Sequence, residues 1–178
     1  MSKPVLVALG ASAGGLEALS EFVRALRPGL GASYVVVQHL SPDNSSLLTE
    51  LLSRQTSLPV AVVESGMRPL EDNIYITPPN HDIVYENGQL RLKEPSEKVG
   101  PKPSVNRMFH SLAAAGDIFP VGIVLSGTGT DGAGGMAAIK AAGGMTIAQE
   151  PSSAKYNGMP LAAIYAEAVE HILEPYVM

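Results

Sequence analysis

The stretch Val5-Leu6-Val7-Ala8-Leu9-Gly10-Ala11-Ser12-Ala13-Gly14-Gly15-Leu16 decides how the chain is read. An apolar run of strand length meets a glycine-dense turn. Beyond the turn, Leu16, Leu19, Phe22, Val23 and Leu26 recur at helical spacing. A strand, a sharp turn and a helix in that order put the Ser12 hydroxyl on a tight bend at the carboxyl edge of a sheet. The spacing Gly10-Ala11-Ser12-Ala13-Gly14 also fits the G-x-S-x-G elbow of serine hydrolases. Glycine-rich strand-to-helix turns hold phosphates as well, and a serine there serves equally as a helix N-cap. This segment alone leaves those readings open.

Two later segments bear on the choice. Val35-Val36-Val37-Gln38-His39 is a strand ending in a histidine, and Ile123-Val124-Leu125-Ser126 runs into Gly127-Thr128-Gly129-Thr130-Asp131-Gly132. A serine hydroxyl becomes a useful nucleophile only when a neighbouring base takes its proton. Ser12, His39 and Asp131, each just past a strand, therefore form a candidate triad, with His39 as base and Asp131 orienting the imidazole. The plainer alternatives are an ordinary loop histidine at 39 and an aspartate at 131 that caps the helix after Gly132. A dinucleotide-binding unit would want an acidic residue after the second strand to hold a ribose hydroxyl, and Gln38-His39 does not supply it.

Around these segments the chain alternates. Strand-like runs fall at residues 4–9, 34–38, 60–63, 73–77, 82–85, 89–93, 121–125 and 146–149, with helical patterns from Leu16, through Leu47–Leu52, from Val105 and across 133–142. Ser45 or Ser46 offers a cap for the second helix. Strands separated by crossover helices predict an α/β doubly wound, mostly parallel sheet. Glu86-Asn87-Gly88-Gln89 predicts a hairpin, because Asn and Gly accept the positive φ of tight turns, so a small antiparallel excursion is expected there. Residues 94–103 read as an exposed loop.

With 178 residues, 46% hydrophobic and 16% charged, the chain suits one globular domain over residues 1–178. It contains no cysteine, which excludes disulfides and thiol chemistry. A formal charge of −5, without Trp and with three Phe, argues against a nucleic-acid surface. No apolar segment reaches membrane-spanning length. His81, His110 and His171 lack the spacing of metal ligands, so neither a metal nor another cofactor is expected, and a cytoplasmic location is.

Four motifs together resemble the catalytic domain of the CheB-type protein-glutamate methylesterases of bacterial chemotaxis: GASAGG at 10–15, QHLSP at 38–42, SGTGTDGAGGM at 126–136 and TIAQEPSSAKYNGMP at 146–160. The resemblance covers essentially the whole chain. It implies a doubly wound sheet with Ser12 as nucleophile, His39 as base and Asp131 as orienter, and backbone donors at Ala13 and Thr128 for the oxyanion. The implied reaction is cofactor-free hydrolysis of glutamyl methyl esters on chemoreceptor cytoplasmic helices, with deamidation of glutamines by the same acyl-enzyme route. This chain departs from the best-known members in having Ala13 where they carry Thr and Thr128 where they carry Met. It also lacks a histidine before Pro103-Ser104. With the first strand starting at Pro4, no receiver domain is expected, and the pattern is similar to the methylesterase domain of hybrids that join a CheR-type methyltransferase, a partner in cis or in trans. A non-catalytic binding module of the same fold is the alternative of a different class.

Overall fold

Val5–Ala11 (β1), Ala32–Gln38 (β2), Val60–Val62 (β3), Ile74–Ile76 (β4), Phe119–Val124 (β7), Met145–Gln149 (β8) and His171–Leu173 (β9) make one sheet in the order β3-β4-β2-β1-β7-β8-β9. Every pairing in it is parallel. The computed structural model describes residues 2–39, 45–95 and 102–178. Parallel strands need crossovers, and the crossovers supply the helices: Gly15–Ala25 (α1), Ser45–Ser53 (α2), Val105–Ala114 (α3), Ala133–Ala141 (α4) and Gly158–Tyr165 (α5). The expected α/β doubly wound fold is thus the observed one.

The sheet is buried on both faces, which explains why its central strands read as continuous apolar runs. Alternation along β1 sends Val7, Leu9 and Ala11 to one side with Leu19, Phe22 and Val23 of α1 and Leu48 and Leu52 of α2. Leu6 and Ala8 go to the other side, with Met108, Phe109 and Leu112 of α3 and Met136 and Ile139 of α4. β2 divides likewise, with Tyr34 and Val36 on the α1 side and Val35 and Val37 opposite.

The antiparallel excursion is a separate two-stranded sheet, Asp82–Glu86 (β5) with Gln89–Lys93 (β6). Its turn places Asn87 at φ 52 and Gly88 at φ 77, the backbone that those residue types predicted. The hairpin is fastened to α3: the Tyr85 N–H donates to Ser111 Oγ at 2.9 Å, and Arg107 Nη1 reaches Asp82 Oδ2 at 2.9 Å. The Tyr85 hydroxyl donates to Asp117 at 2.9 Å, and burial first, then that carboxylate, pushes its pKa up to about 12.

Two elements exceed the sequence reading. β9 has only three residues with exposed His171 and Ile172, too short and too open for an apolar run to reveal it. α5 begins Gly158-Met159-Pro160, a breaker pattern in isolation, yet proline is tolerated in a first turn where its missing N–H has no helical partner. Residues 96–101, most of the expected loop, and Leu40, Ser41 and Pro42 lie outside the described residues, as do the side chains of Ser45 and Ser46.

The approach of α4 to α3 depends on Gly135. A Cβ there would collide with Phe109 Cβ and stand 3.2 Å from the Asn106 carbonyl oxygen. Gly→Ala in a helix ordinarily gains about 1 kcal/mol of propensity, whereas overpacking a closed interface costs about 1–3 kcal/mol. Gly135→Ala is expected to lower the thermal midpoint by a few degrees, at about 2–4 °C per kcal/mol for a chain of this size. A raised midpoint by differential scanning calorimetry would contradict this packing.

Candidate active site

Because the strands run parallel, all their carboxyl ends meet one edge, and the crevice there lies where the strand order reverses. β1 occupies that point, flanked by β2 and β7. Its ladder continues past the last paired residue on both sides. The register Ala11↔Gln38 is extended by His39 N–H donating to the Ala11 carbonyl at 3.0 Å. Opposite, Leu125 N–H donates to Gly10 and Ser12 N–H to the Ser126 carbonyl, at 2.9 and 3.0 Å. Ser12 therefore leaves the sheet directly beside His39 on one side and Ser126-Gly127 on the other. A Cβ on Gly127 would come 2.9 Å from Ser12 Cβ and collide with Met159 Sδ, so only glycine lets the β7 loop pass this close.

His39 and Asp131, far apart in sequence, are in contact: Nε2 lies 2.9 Å from Asp131 Oδ2, and each side chain is 10% exposed. The same carboxylate closes the start of α3. Val105 N–H donates to Oδ2 at 2.8 Å and Asn106 N–H to Oδ1 at 2.9 Å. Burial is the largest single influence on Asp131 and pushes its pKa up. The His39 hydrogen bond, the two backbone N–H groups and the histidine's charge together outweigh it, so the carboxyl is held below its ordinary value. An ionised carboxylate with two fixed amide donors can hold the imidazole in one tautomer, with its proton on Nε2.

The two capping alternatives fail. The N-cap of α1 is Gly14 at φ 71, with no side-chain capping bond from Ser12. The N-cap of α4 is Gly132 at φ 98, and Asp131 instead takes the first two N–H groups of α3, beside that helix's own N-cap Ser104. What caps α4 is Asn106, whose Oδ1 accepts from Gly132 N–H at 3.1 Å and Gly135 N–H at 2.8 Å. The two helix starts thus cap each other, Asp131 for α3 and Asn106 for α4. Sequence reading missed Asn106, since its only local signal was a polar residue after the Ser104 cap of α3. Ala13 and Thr128 are both exposed. His81 stands apart, its Nδ1 2.9 Å from the Pro79 carbonyl. Among the described residues no group of three His, Cys, Asp or Glu is placed to hold a metal ion. A cleft of about 230 Å³ opens beside Ser12, lined by Gly14, Leu16, Glu17, Leu48 and Leu51 among others.

Residues 7–178 match the family model described as CheB methylesterase, and the chain belongs to that family. A protein-glutamate methylesterase/protein-glutamine glutaminase of Hahella chejuensis is 35% identical over 174 residues, which cover 97% of this chain and 50% of that protein. One of Pseudomonas aeruginosa is 35% identical over 177 residues, again 97% of this chain and 50% of the relative. The chain thus spans about half the length of these curated relatives. Among solved structures, the Thermotoga maritima CheB methylesterase catalytic domain superposes with a TM-score of 0.89 at 26% identity, covering 99% of this chain and 94% of that one. No helix among the described residues is long and apolar enough to cross a membrane.

The depressed Asp131 pKa fixes a sign. A carboxyl whose folded value lies below its unfolded one stabilises the fold above the unfolded value and loses that contribution as pH falls through the folded one. Wild type should exceed Asp131→Asn in urea resistance at neutral pH, and the gap should shrink progressively below about pH 4. A gap that stays constant or widens on acidification, in midpoints measured across that range, would contradict the assignment.

Proposed function

We propose that this chain hydrolyses glutamyl methyl esters on chemoreceptor-type proteins, with Ser12 as nucleophile, His39 as base and Asp131 as its orienting carboxylate. The observation that carries the reading is the 2.9 Å contact between His39 Nε2 and Asp131, one register step from the Ser12 turn. A bare helix cap has no use for an imidazole on its carboxylate, whereas a general base needs one.

With Nε2 committed to Asp131, the nitrogen left for the serine is Nδ1. Ser12 Oγ attacks the ester carbonyl while Nδ1 takes its proton. The tetrahedral oxyanion is met by backbone N–H donors, for which Ala13, following the nucleophile, and Thr128 in the β7 loop are the assigned positions. Collapse expels the methoxy group, which takes the proton from His39 and leaves as methanol. Water then attacks the acyl-serine by the same route, releasing the glutamate and regenerating Ser12. Asp131 stays ionised throughout and stabilises the transient imidazolium. A glutamine side chain follows the identical sequence with ammonia leaving, in keeping with the double activity in the relatives' names. The leucine-lined cleft beside Ser12 suits the apolar flank of a receptor helix, and the cytoplasm is where such helices lie.

Methanol release from methylated receptor fragments tests the reading. Ser12→Ala is expected to lower turnover by about a thousandfold or more while keeping the wild-type denaturation midpoint, since alanine fits the same turn. Turnover near wild type in that variant would reduce Ser12 to a turn residue.

A further inference from the structure

Gln38 ends β2 beside the elbow, and its side chain is buried, 6% exposed. Its Nε2 has two protons and two partners: the Ser12 carbonyl at 2.8 Å and the His39 carbonyl at 3.2 Å. One amide group thus bonds the main chain of both residues that the reaction brings together. Its Oε1 is buried without a hydrogen-bond partner. That oxygen faces Gly15, where a Cβ would collide with it. Leaving a buried acceptor unsatisfied is costly and offsets much of what the two Nε2 hydrogen bonds contribute. The net contribution of the amide to stability is therefore small for a side chain so fully buried.

Peptide geometry says what the amide does. A trans peptide is planar, with its C=O and N–H pointing in opposite directions. The Ser12 carbonyl is drawn towards Gln38 Nε2 and also accepts from Gly15 N–H at 2.9 Å. The other end of that peptide, the Ala13 N–H, must then point away from Gln38. This N–H is the donor assigned to the oxyanion.

Resting on the proposed acyl transfer, we infer that Gln38 is a positioning residue: by gripping the Ser12 carbonyl it aims the Ala13 N–H at the developing oxyanion and ties the nucleophile's turn to the base. It touches no reacting atom and acts through the Ser12–Ala13 peptide. Donors preset towards charge that develops only in the transition state raise kcat without tightening ground-state binding.

The test is Gln38→Met, which keeps the length, removes the donor and also removes the orphan oxygen. Thermal midpoint, kcat and KM are measured on methylated receptor fragments, with wild type and Ser12→Ala in parallel. The expected result is a midpoint within a few degrees of wild type, KM within about threefold, and kcat lowered about 10- to 100-fold, short of the loss on removing an oxyanion donor outright. Gln38→Leu, which carries no donor, should show the same kcat loss. Unchanged kcat in both variants overturns the inference while leaving the methylesterase reading intact. A kcat loss that only follows a fall in midpoint overturns it too, by making Gln38 structural. Absence of wild-type turnover removes the reading and the inference together.

Discussion

A single carboxylate holds the crevice together. Asp131 accepts from the His39 ring, from Val105 N–H and from Asn106 N–H, and so joins the end of β2, the loop after β7 and the start of α3. Desolvating an anion costs several kcal/mol, and one partner would not offset that. Three donors, each contributing about 1.5–3 kcal/mol when bonded to a charge, together with the positive end of the α3 dipole, do. The balance leaves Asp131 ionised and below its ordinary pKa. A neutral acid there would neither stabilise an imidazolium nor secure the helix.

The rest of the architecture follows from bringing those donors within reach. α3 can lie against β1 only because Gly10 has no side chain, and a Cβ there would strike Val105, whose N–H binds Asp131. α4 comes close to α3 through Gly135, and Asn106 then caps α4 as Asp131 caps α3. The glycines of this chain are therefore packing residues as much as turn residues, which fits the fold's many close backbone approaches.

Local pattern was enough for most of the fold. The apolar runs of β1 and β2 and the periodicity of α1 gave the doubly wound sheet, and Asn87-Gly88 gave the hairpin. Ser12, His39 and Asp131 were legible as three residues each just past a strand, because a parallel sheet sends all such positions to one edge. What stayed hidden was whatever depends on distant partners. Nothing near Asn106 announces that its amide serves a helix that begins at Ala133, and nothing near Asp131 announces that it caps α3 rather than α4. β9 and α5 were missed for the same reason: an edge strand with an exposed face and a helix opening on Gly-Met-Pro take their order from neighbours, not from their own residues.

The central claim is that the crevice activates one serine through one histidine. A phosphonofluoridate reports this without any assumption about substrate, because it phosphonylates a serine only as fast as that serine is activated. Intact-protein and peptide mass spectrometry should find one adduct, on Ser12, in wild type. His39→Gln should slow its formation about 100-fold or more, the usual contribution of a positioned general base. Labelling at an undiminished rate in His39→Gln, or an adduct at a different serine, would contradict the account.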